Sequence, residues 1–446
     1  MKRVITYGTF DLFHEGHYNI LKRAKEQGDY LIVGVTTEGY DNSRGKLNIV
    51  EPLEDRIEHV KNCGFADKVI IEDHMGQKIE DIQKYHVDTF VIGSDWLGKF
   101  DYLKEYCEVV YLERTKGVSS TLKRTEEFKL IRIGIVGSGR IAGRFVKEAR
   151  YVSGVHVEGV YNPHIESAER FARDNELDFY ENDYDRFLEK VNAVYIATPH
   201  ETHYGYAKRA LENRKNVLIE KPMTLKKSEA EELFSIAKEK GCILMEAIKT
   251  AYAPGFIRMV GMAKSGIIGQ IKDVEACFTK LTGDNTRELM DIKYGGSFTE
   301  LASYTLLPII KLLGKNYKNI RFNCNYTKNG LDGYTKAYID YEDAQATSKT
   351  GLKVKSEGQL VISGTSGYIK VSAPWWLTRE FEICYEDMSL NEKQYSQFKG
   401  DGLRYEISDF VSMVNGYGNN NYKLTREESV AIAEIMEKFL GECRGK

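Results

Sequence analysis

The 446-residue chain has no run of eighteen apolar residues, so no membrane-spanning helix is expected. Its first residues, MKRVITYGTFDL, carry neither a long apolar stretch nor a small-residue cleavage site. They read as a β-strand opening a domain, not as a signal peptide. The seven cysteines, at 63, 107, 242, 277, 324, 384 and 443, include no CxxC pair. That pattern argues against a cysteine metal site and for free thiols in a reducing cytoplasm. Strong charge of one sign is missing too. The whole chain carries −3, residues 1–128 carry −5 (18 basic, 23 acidic), and the remainder carries +2 (45 basic, 43 acidic). Neither part is basic enough to suggest nucleic-acid binding. No repeat or low-complexity tract stands out. What is present is a composition 42% apolar and 29% charged, enough for true cores, over a length that suits two or three domains.

Two strand–glycine turn–helix openings organise the chain: KRVITYGTFDLFHEGHYNILKRAKEQ near the start and KLIRIGIVGSGRIAGRFVKEA near residue 130. Each begins an alternation of strands and helices, which implies a parallel sheet. Strands are expected at VITYG, YLIVGVT, KVIIE, TFVIG and VVYLE in the first unit, and at IRIGIV, HVEGVY, AVYIAT and NVLIEK in the second. From about 271 to 395 the segments alternate in the β manner between turn residues, so a mostly antiparallel sheet is expected. Thr425 and Glu428 make a capping box that opens a last helix over 425–441. The polar stretch STLKRTEEFK places a boundary near 128, giving units 1–128, 129–250 and 251–446.

The first opening holds Gly8-Thr9-Phe10-Asp11-Leu12-Phe13-His14-Glu15-Gly16-His17. A glycine turn after a strand lets phosphates approach the backbone, and the following helix start offers N–H donors and a positive dipole end. His14 and His17, three apart at that start, can both face phosphate oxygens. Here the segment resembles the HxGH signature of the nucleotidyltransferase superfamily, in the form used by cytidylyltransferases. Arg114-Thr115-Lys116-Gly117-Val118-Ser119-Ser120-Thr121 resembles the RTxGxSTT motif of the same family, with the hydroxyl of Ser120 where Thr is usual.

GSDWLGKFDYLKEYCEVVYLERTKG brings the likeness to the glycerol-3-phosphate cytidylyltransferase family over residues 1 to about 125. Asp95 and Trp96 match its GDDW segment, Ser94 replacing the first Asp. The resemblance implies transfer of CMP from CTP, with Mg2+, to an alditol phosphate, releasing pyrophosphate. It assigns catalysis to His14 and His17, nucleotide binding to Thr9, Phe10, Asp11, Gly16, Asp95, Arg114, Thr115, Gly117, Ser119, Ser120 and Thr121, and the phosphorylated alcohol to Arg44 or Lys46, Arg56 and Lys78. Asp11 is assigned either to the metal or to the positioning of His17.

In the second opening, Gly137-Ser138-Gly139-Arg140-Ile141-Ala142 suits a dinucleotide pyrophosphate at a helix start. The strand HVEGVY ends on Asn162 where an acidic residue would mark NAD, so NAD and NADP both remain open. AVYIATPHETHYGYAKRAL, with Thr198, Pro199 and His203, and NVLIEKPMTL, with Glu220-Lys221-Pro222, resemble the glucose–fructose oxidoreductase and inositol dehydrogenase (Gfo/Idh/MocA) family over residues 130–446. The resemblance places Lys221 in the active site, assisting proton transfer at the substrate oxygen. It places Tyr304 at the acid/base position of the segment Gly295–Tyr304, with Glu300 one helical turn before it. Glu300 stands for the family's Asp and Ala302 for its Gly. His203 is expected to pack, or to support the site from behind.

The expected whole is an α/β protein: a Rossmann-like HxGH nucleotidyltransferase domain, a Rossmann NAD(P)-binding domain, and a C-terminal α+β open-sheet domain. It would be a bifunctional enzyme on small-molecule substrates, a homodimer or higher homo-oligomer, making cell-envelope polymer precursors. The departures at Glu300 and Ala302 leave a second reading, an active transferase joined to a non-catalytic binding or dimerising module. A third has another phosphorylated alcohol as acceptor.

Overall fold

The structure is a computed structural model that describes residues 1–113, 130–416 and 423–444. The whole Arg114–Thr121 motif, with Arg114, Thr115, Gly117, Ser119, Ser120 and Thr121, lies outside the described residues. The described chain divides into two compact units, Met1–Gly134 with Gly143–Phe187, and Ile135–Ala142 with Leu188–Lys446. This division does not follow the boundary near 128.

Strands β1 (Arg3–Gly8), β2 (Tyr30–Thr36), β3 (Lys68–Glu72), β4 (Thr89–Gly93) and β5 (Glu108–Leu112) form a parallel sheet of order β3-β2-β1-β4-β5. Both faces are covered, so the strands read as continuous apolar runs. Val4, Leu31, Val33 and Val91 pack on one face with Leu21. Ile5, Ile32, Phe90 and Ile92 pack on the other with Leu103. Each such side chain, fully buried, contributes roughly 1.5–3 kcal/mol. The strand order reverses at β1, and in open α/β sheets the ligand crevice lies beyond the strand ends at that point. The HxGH segment leaves the sheet there, between β1 and helix α1 (Glu15–Lys25).

A second sheet has the order β11-β10-β9-β6-β7-β8, from β6 (Ile131–Val136), β7 (Val155–Tyr161), β8 (Phe179–Glu181), β9 (Ala193–Ile196), β10 (Asn216–Glu220) and β11 (Leu244–Ala247). Its glycine turn again follows the switch strand, β6. β8 and β11 are short strands that the sequence reading did not separate from their surroundings.

The third sheet has eight strands: β12 (Ile271–Thr279), β13 (Asn319–Tyr326), β14 (Asp332–Asp340), β15 (Gln345–Gly351), β16 (Leu360–Gly364), β17 (Tyr368–Val371), β18 (Glu380–Cys384) and β19 (Glu392–Tyr395), in the order β13-β14-β15-β12-β16-β17-β18-β19. It is antiparallel apart from the β12–β15 pair, which runs parallel.

Helix Ser297–Leu313 lies on this sheet and carries Glu300 and Tyr304. Its start is held by Asp332, whose carboxylate accepts from the Ser297 hydroxyl and the Phe298 N–H, both at 2.8 Å. Burial pushes the Asp332 carboxyl up, and Arg444, 3.1 Å away, opposes that. The last helix, Arg426–Cys443, has the reciprocal cap between Thr425 and Glu428. Among the described residues no helix is long and apolar enough to cross a membrane.

Candidate active sites

In the first unit His14 is the N-cap of α1, and the cap is built from two imidazoles. His14 Nδ1 accepts from the Gly16 N–H at 3.1 Å, and the His14 N–H donates to His17 Nδ1 at 3.4 Å. Both Nδ1 atoms are acceptors here, so the ring protons belong on Nε2. The two rings are stacked, and Phe10 and Phe13 lie against His17. Burial, then the charges of His14 and Lys46, hold the His17 pKa well below its ordinary value. His17 is therefore a neutral donor at physiological pH. A Cβ at Gly16 would sit 2.8 Å from His14 Cε1, so any larger residue there pushes the His14 ring out of place.

The turn that delivers these histidines is strained, with Phe10 at φ 53° and Leu12 at φ 49°. Such conformations persist only where the surroundings over-determine them. Asp11, buried between the two, accepts from the N–H groups of Val50 (3.1 Å) and Glu51 (2.9 Å), and the Leu12 N–H donates to the Glu51 carboxylate at 2.7 Å. In this structure Asp11 thus holds the loop that follows helix α2 (Glu38–Arg44). Among the described residues no group of three or more His, Cys, Asp or Glu could hold a metal. A Mg2+ carried on the triphosphate, keeping most of its waters, needs no such cage.

The four basic residues assigned to the acceptor are placed differently from one another. Lys46 is near enough to His17 to act on its charge, and its Nζ donates to the Arg150 carbonyl at 3.0 Å. Arg44 pairs with Asp41, which also takes the hydroxyls of Thr9 and Thr36. Lys78 pairs with Glu72 and lies 4.4 Å from the Tyr7 ring centre. Burial, with Arg44 contributing, lowers its pKa although Glu72 opposes this. Arg56 is fully buried. Its guanidinium donates to the carbonyls of Glu51 (3.0 Å), Thr9 (2.7 Å) and Thr36 (2.9 Å) and pairs with Glu38 at 2.8 Å. Four of its five N–H donors serve the protein itself, so Arg56 clamps the turn from behind. Asp95, in the turn after β4, pairs with Arg150 at 3.0 Å.

In the second unit the turn after β6 has Gly137 at φ 99°, where a Cβ would lie 2.7 Å from the Ala197 carbonyl oxygen. Only glycine suits that position. A Cβ on Gly139 would meet nothing within 4 Å, which leaves room for a phosphate at the start of helix Arg140–Ala149, the helix that Arg140 and Ile141 open. These residues fit a dinucleotide. Asn162, at the end of β7, accepts the His164 N–H at 2.9 Å.

Beyond β9 and β10, Lys221 donates to the Glu300 carbonyl oxygen at 2.9 Å and lies 3.4 Å from its carboxylate. His200 approaches the other Glu300 oxygen at 3.5 Å. The Tyr304 ring centre is 5.7 Å from the Lys221 ammonium. Lys221 is thus brought beside Glu300 and Tyr304, which lie some eighty residues further on and one turn apart on the same helix. His200 is the residue the sequence reading passed over. Burial, then Lys221, keeps its pKa well below the ordinary value, so it stands neutral beside the lysine. Its only sequence signal is its position just after Pro199.

His203 is fully buried. Its ring nitrogens face the carbonyls of Pro222 (2.9 Å) and Thr198 (3.0 Å), and burial brings its pKa down to about 4. It ties the turn after β9 to the turn after β10. Thr198 takes the Thr202 hydroxyl at 2.8 Å, and Pro199 leads into the turn that carries His200. Glu220 is buried, accepting from the Tyr195 hydroxyl at 2.6 Å and from the Lys221 N–H at 3.3 Å.

A helix start carrying two stacked imidazoles suits the binding of phosphate oxygens. A glycine-turn sheet with a clustered lysine, carboxylate and tyrosine defines a dinucleotide-linked oxidoreductase fold. Residues 5–133 match the cytidylyltransferase-like family, and residues 131–248 match the oxidoreductase family with NAD-binding Rossmann fold. The glycerol-3-phosphate cytidylyltransferase of Bacillus spizizenii is 54% identical over 121 residues, 27% of this chain and 93% of that protein. The scyllo-inositol 2-dehydrogenase (NADP(+)) IolU of Bacillus subtilis is 26% identical over 319 residues, 69% of this chain and 96% of that protein. A solved structure of KijD10, a 3-ketoreductase from Actinomadura kijaniata in complex with NADP and TDP-benzene, has the same fold at TM-score 0.60 and 22% identity, covering 69% of this chain and 96% of its own. The chain belongs to the cytidylyltransferase-like family through its first 133 residues and carries a Gfo/Idh/MocA oxidoreductase domain after them.

Proposed function

We propose that the chain is a bifunctional enzyme. Its first half transfers CMP from CTP to an alditol phosphate of the glycerol 3-phosphate type, and its second half interconverts a carbonyl and an alcohol on a polyol, sugar or keto-phosphate with NAD or NADP. The observation that carries this reading is the pair of stacked imidazoles at the start of α1, in a segment 54% identical to a glycerol-3-phosphate cytidylyltransferase.

In the transfer, the acceptor hydroxyl oxygen attacks the α-phosphorus of CTP. The bond to the bridging oxygen of pyrophosphate breaks, and the hydroxyl proton passes to solvent water. The Nε2–H donors of His14 and His17 and the helix dipole stabilise charge that grows on the phosphate oxygens. Lys46 adds a positive charge near His17, and Arg44 and Lys78, paired with Asp41 and Glu72, are the further basic groups for the acceptor phosphate. Strain at Phe10 and Leu12 holds the donors in place before substrate binds. Mg2+ would accompany the triphosphate.

In the second half a bound nicotinamide coenzyme would supply the hydride chemistry. Tyr304 and Lys221 handle the proton at the substrate oxygen, Glu300 orients Lys221, and neutral His200 offers a further hydrogen bond to the substrate. Gly137, Gly139, Arg140 and Ile141 would hold the pyrophosphate of the coenzyme. Asn162 does not repel a 2′-phosphate, which keeps NADP open. The two steps fit in series, a keto-phosphate reduced and then activated as a CDP-alditol for an envelope polymer. A pyrophosphate-release assay with CTP tests this, using alditol phosphates alone and keto-phosphates with NADH or NADPH. Release from a keto-phosphate only with reduced coenzyme is expected. Release from glycerol 3-phosphate, with no coenzyme dependence for any keto-phosphate, would sink the series and leave the transferase.

A further inference from the structure

The loop between α2 and helix α3 (Leu53–Asn62) is held at both ends. At its far end Asp11 and Leu12 of the HxGH turn grip Val50 and Glu51. At its near end it is gripped by residues 150–153, the turn after the helix that opens on the dinucleotide glycines. Leu47 forms a parallel bridge with Val152, its N–H donating to the Tyr151 carbonyl at 2.8 Å and its carbonyl accepting from Ser153 at 2.9 Å. Lys46 donates to the Arg150 carbonyl. The Arg150 guanidinium reaches Asp95 twice, at 3.0 Å to the carboxylate and 3.2 Å to the carbonyl. Tyr151 meets Trp96 edge-on at 5.7 Å and takes a hydrogen bond from Lys99 at 2.8 Å. Ser94 bonds Glu176 at 2.8 Å. All of these residues lie within the first compact unit. Val152 is 2% exposed and Ser153 7%, so the turn is packed in place and is not a grazing contact.

The Bacillus spizizenii transferase is matched over 93% of its length by the first part of this chain alone. That protein has no room for a segment equivalent to 143–187. The turn is thus an addition that meets the two stretches, Lys46–Glu51 and Asp95–Trp96, assigned to acceptor and nucleotide.

We propose that Arg150 is a positioning residue for the nucleotidyl transfer: with Tyr151–Ser153 it sets the Lys46 loop and the Asp95–Trp96 turn, so that the dinucleotide-binding segment fixes how the first site holds its acceptor. This rests on the transferase reading. The hydroxyl-bearing substrate is a phosphorylated alditol, and its phosphate is read by Lys46 in the geometry that Arg150 maintains.

The test uses the full chain with Arg150→Ala, Arg150→Lys and Ser153→Pro, the last removing the N–H given to Leu47. Amide hydrogen exchange over residues 44–53 and 94–99 is followed together with pyrophosphate release from CTP and glycerol 3-phosphate. Exchange should quicken over 94–99 in Arg150→Ala, which loses the guanidinium on Asp95, and over 44–53 in Ser153→Pro, while β1 stays protected. KM for glycerol 3-phosphate should rise about tenfold, with kcat and KM for CTP nearly unchanged and Arg150→Lys intermediate. Unchanged exchange over 94–99 in Arg150→Ala or over 44–53 in Ser153→Pro, or equal losses in kcat and both KM values, would overturn the proposal. A native chain that releases no pyrophosphate from CTP with any alditol phosphate would instead sink the transferase reading, and the exchange data would still decide whether Arg150 holds the Asp95–Trp96 turn.

Discussion

The imidazole rings of His14 and His17 are stacked, with centroids 3.9 Å apart and planes 23° from parallel. The stack keeps both Nε2–H groups at the start of α1, and burial keeps His17 neutral. His17→Ala removes one donor and half of the cap. The expected result is a fall in pyrophosphate release of about 10² or more, with coenzyme binding, read by NAD(P)H fluorescence, unaltered. Loss of both would show that the halves do not act independently.

Lys221 and His200 flank the two oxygens of Glu300 at 3.4 and 3.5 Å. Lys221→Ala should abolish oxidoreduction and spare pyrophosphate release. His200→Ala should lower kcat of the redox step about tenfold or more, the range for a lost donor or proton-transfer partner. Full redox activity in Lys221→Ala would take Lys221 out of the proton-transfer role, whereas no redox activity in the native chain would turn the second half into a binding module.

Arg56 distinguishes a clamp from a substrate contact. Arg56→Ala strands the carbonyls of Thr9, Thr36 and Glu51 in a buried setting. Glu38 is left half exposed to solvent, and each buried carbonyl left unsatisfied costs about 1–3 kcal/mol. Urea denaturation should report a loss of that order. An unchanged midpoint with a raised KM for the alditol phosphate would return Arg56 to the substrate.

Glu246 gives a pH signature. Its Oε1 accepts the Met223 N–H at 3.0 Å, and burial raises its pKa from 4.5 to about 7. Below pH 4.5 both folded and unfolded chains hold the proton, so the group adds no difference. Between about 4.5 and 7 only the folded chain holds it, so stability falls as pH rises, and above 7 the full cost stays. Glu246→Gln should therefore gain on the native chain through that window. The limit is about 3 kcal/mol if all of the shift is expressed. Thermal melts at pH 5 and pH 8 would show it, and parallel curves for the two proteins would refute it.

The parallel sheets were readable because their strands are apolar runs bounded by turns, and β1 to β5 fall where VITYG to VVYLE were expected. The last helix was readable from Thr425 and Glu428, whose reciprocal cap is local. β8 and β11 were not, because three- and four-residue strands carry too little pattern. The parallel β12–β15 pair was not, because pairing direction depends on the route of the chain and not on alternation. Among site residues, Lys221, Glu300 and Tyr304 came from motifs and meet in space. Arg56 was legible as a basic residue near the loop, but the inward course of its side chain depends on carbonyls from three segments. His200 was missed because a histidine after a proline has no periodicity and gains meaning only when Glu300 arrives from a helix a hundred residues on.

The bridge between Leu47 and Val152 bears on how such a chain could be rearranged. A fragment ended at residue 128 would leave the Leu47 N–H and carbonyl without their partners and Asp95 without Arg150. Exchanging the second half for that of another reductase would bring in a different turn at 150–153. Module swapping across this seam would then need the turn to travel with the transferase, and the workable crossover lies beyond Ser153, inside the dinucleotide-binding fold.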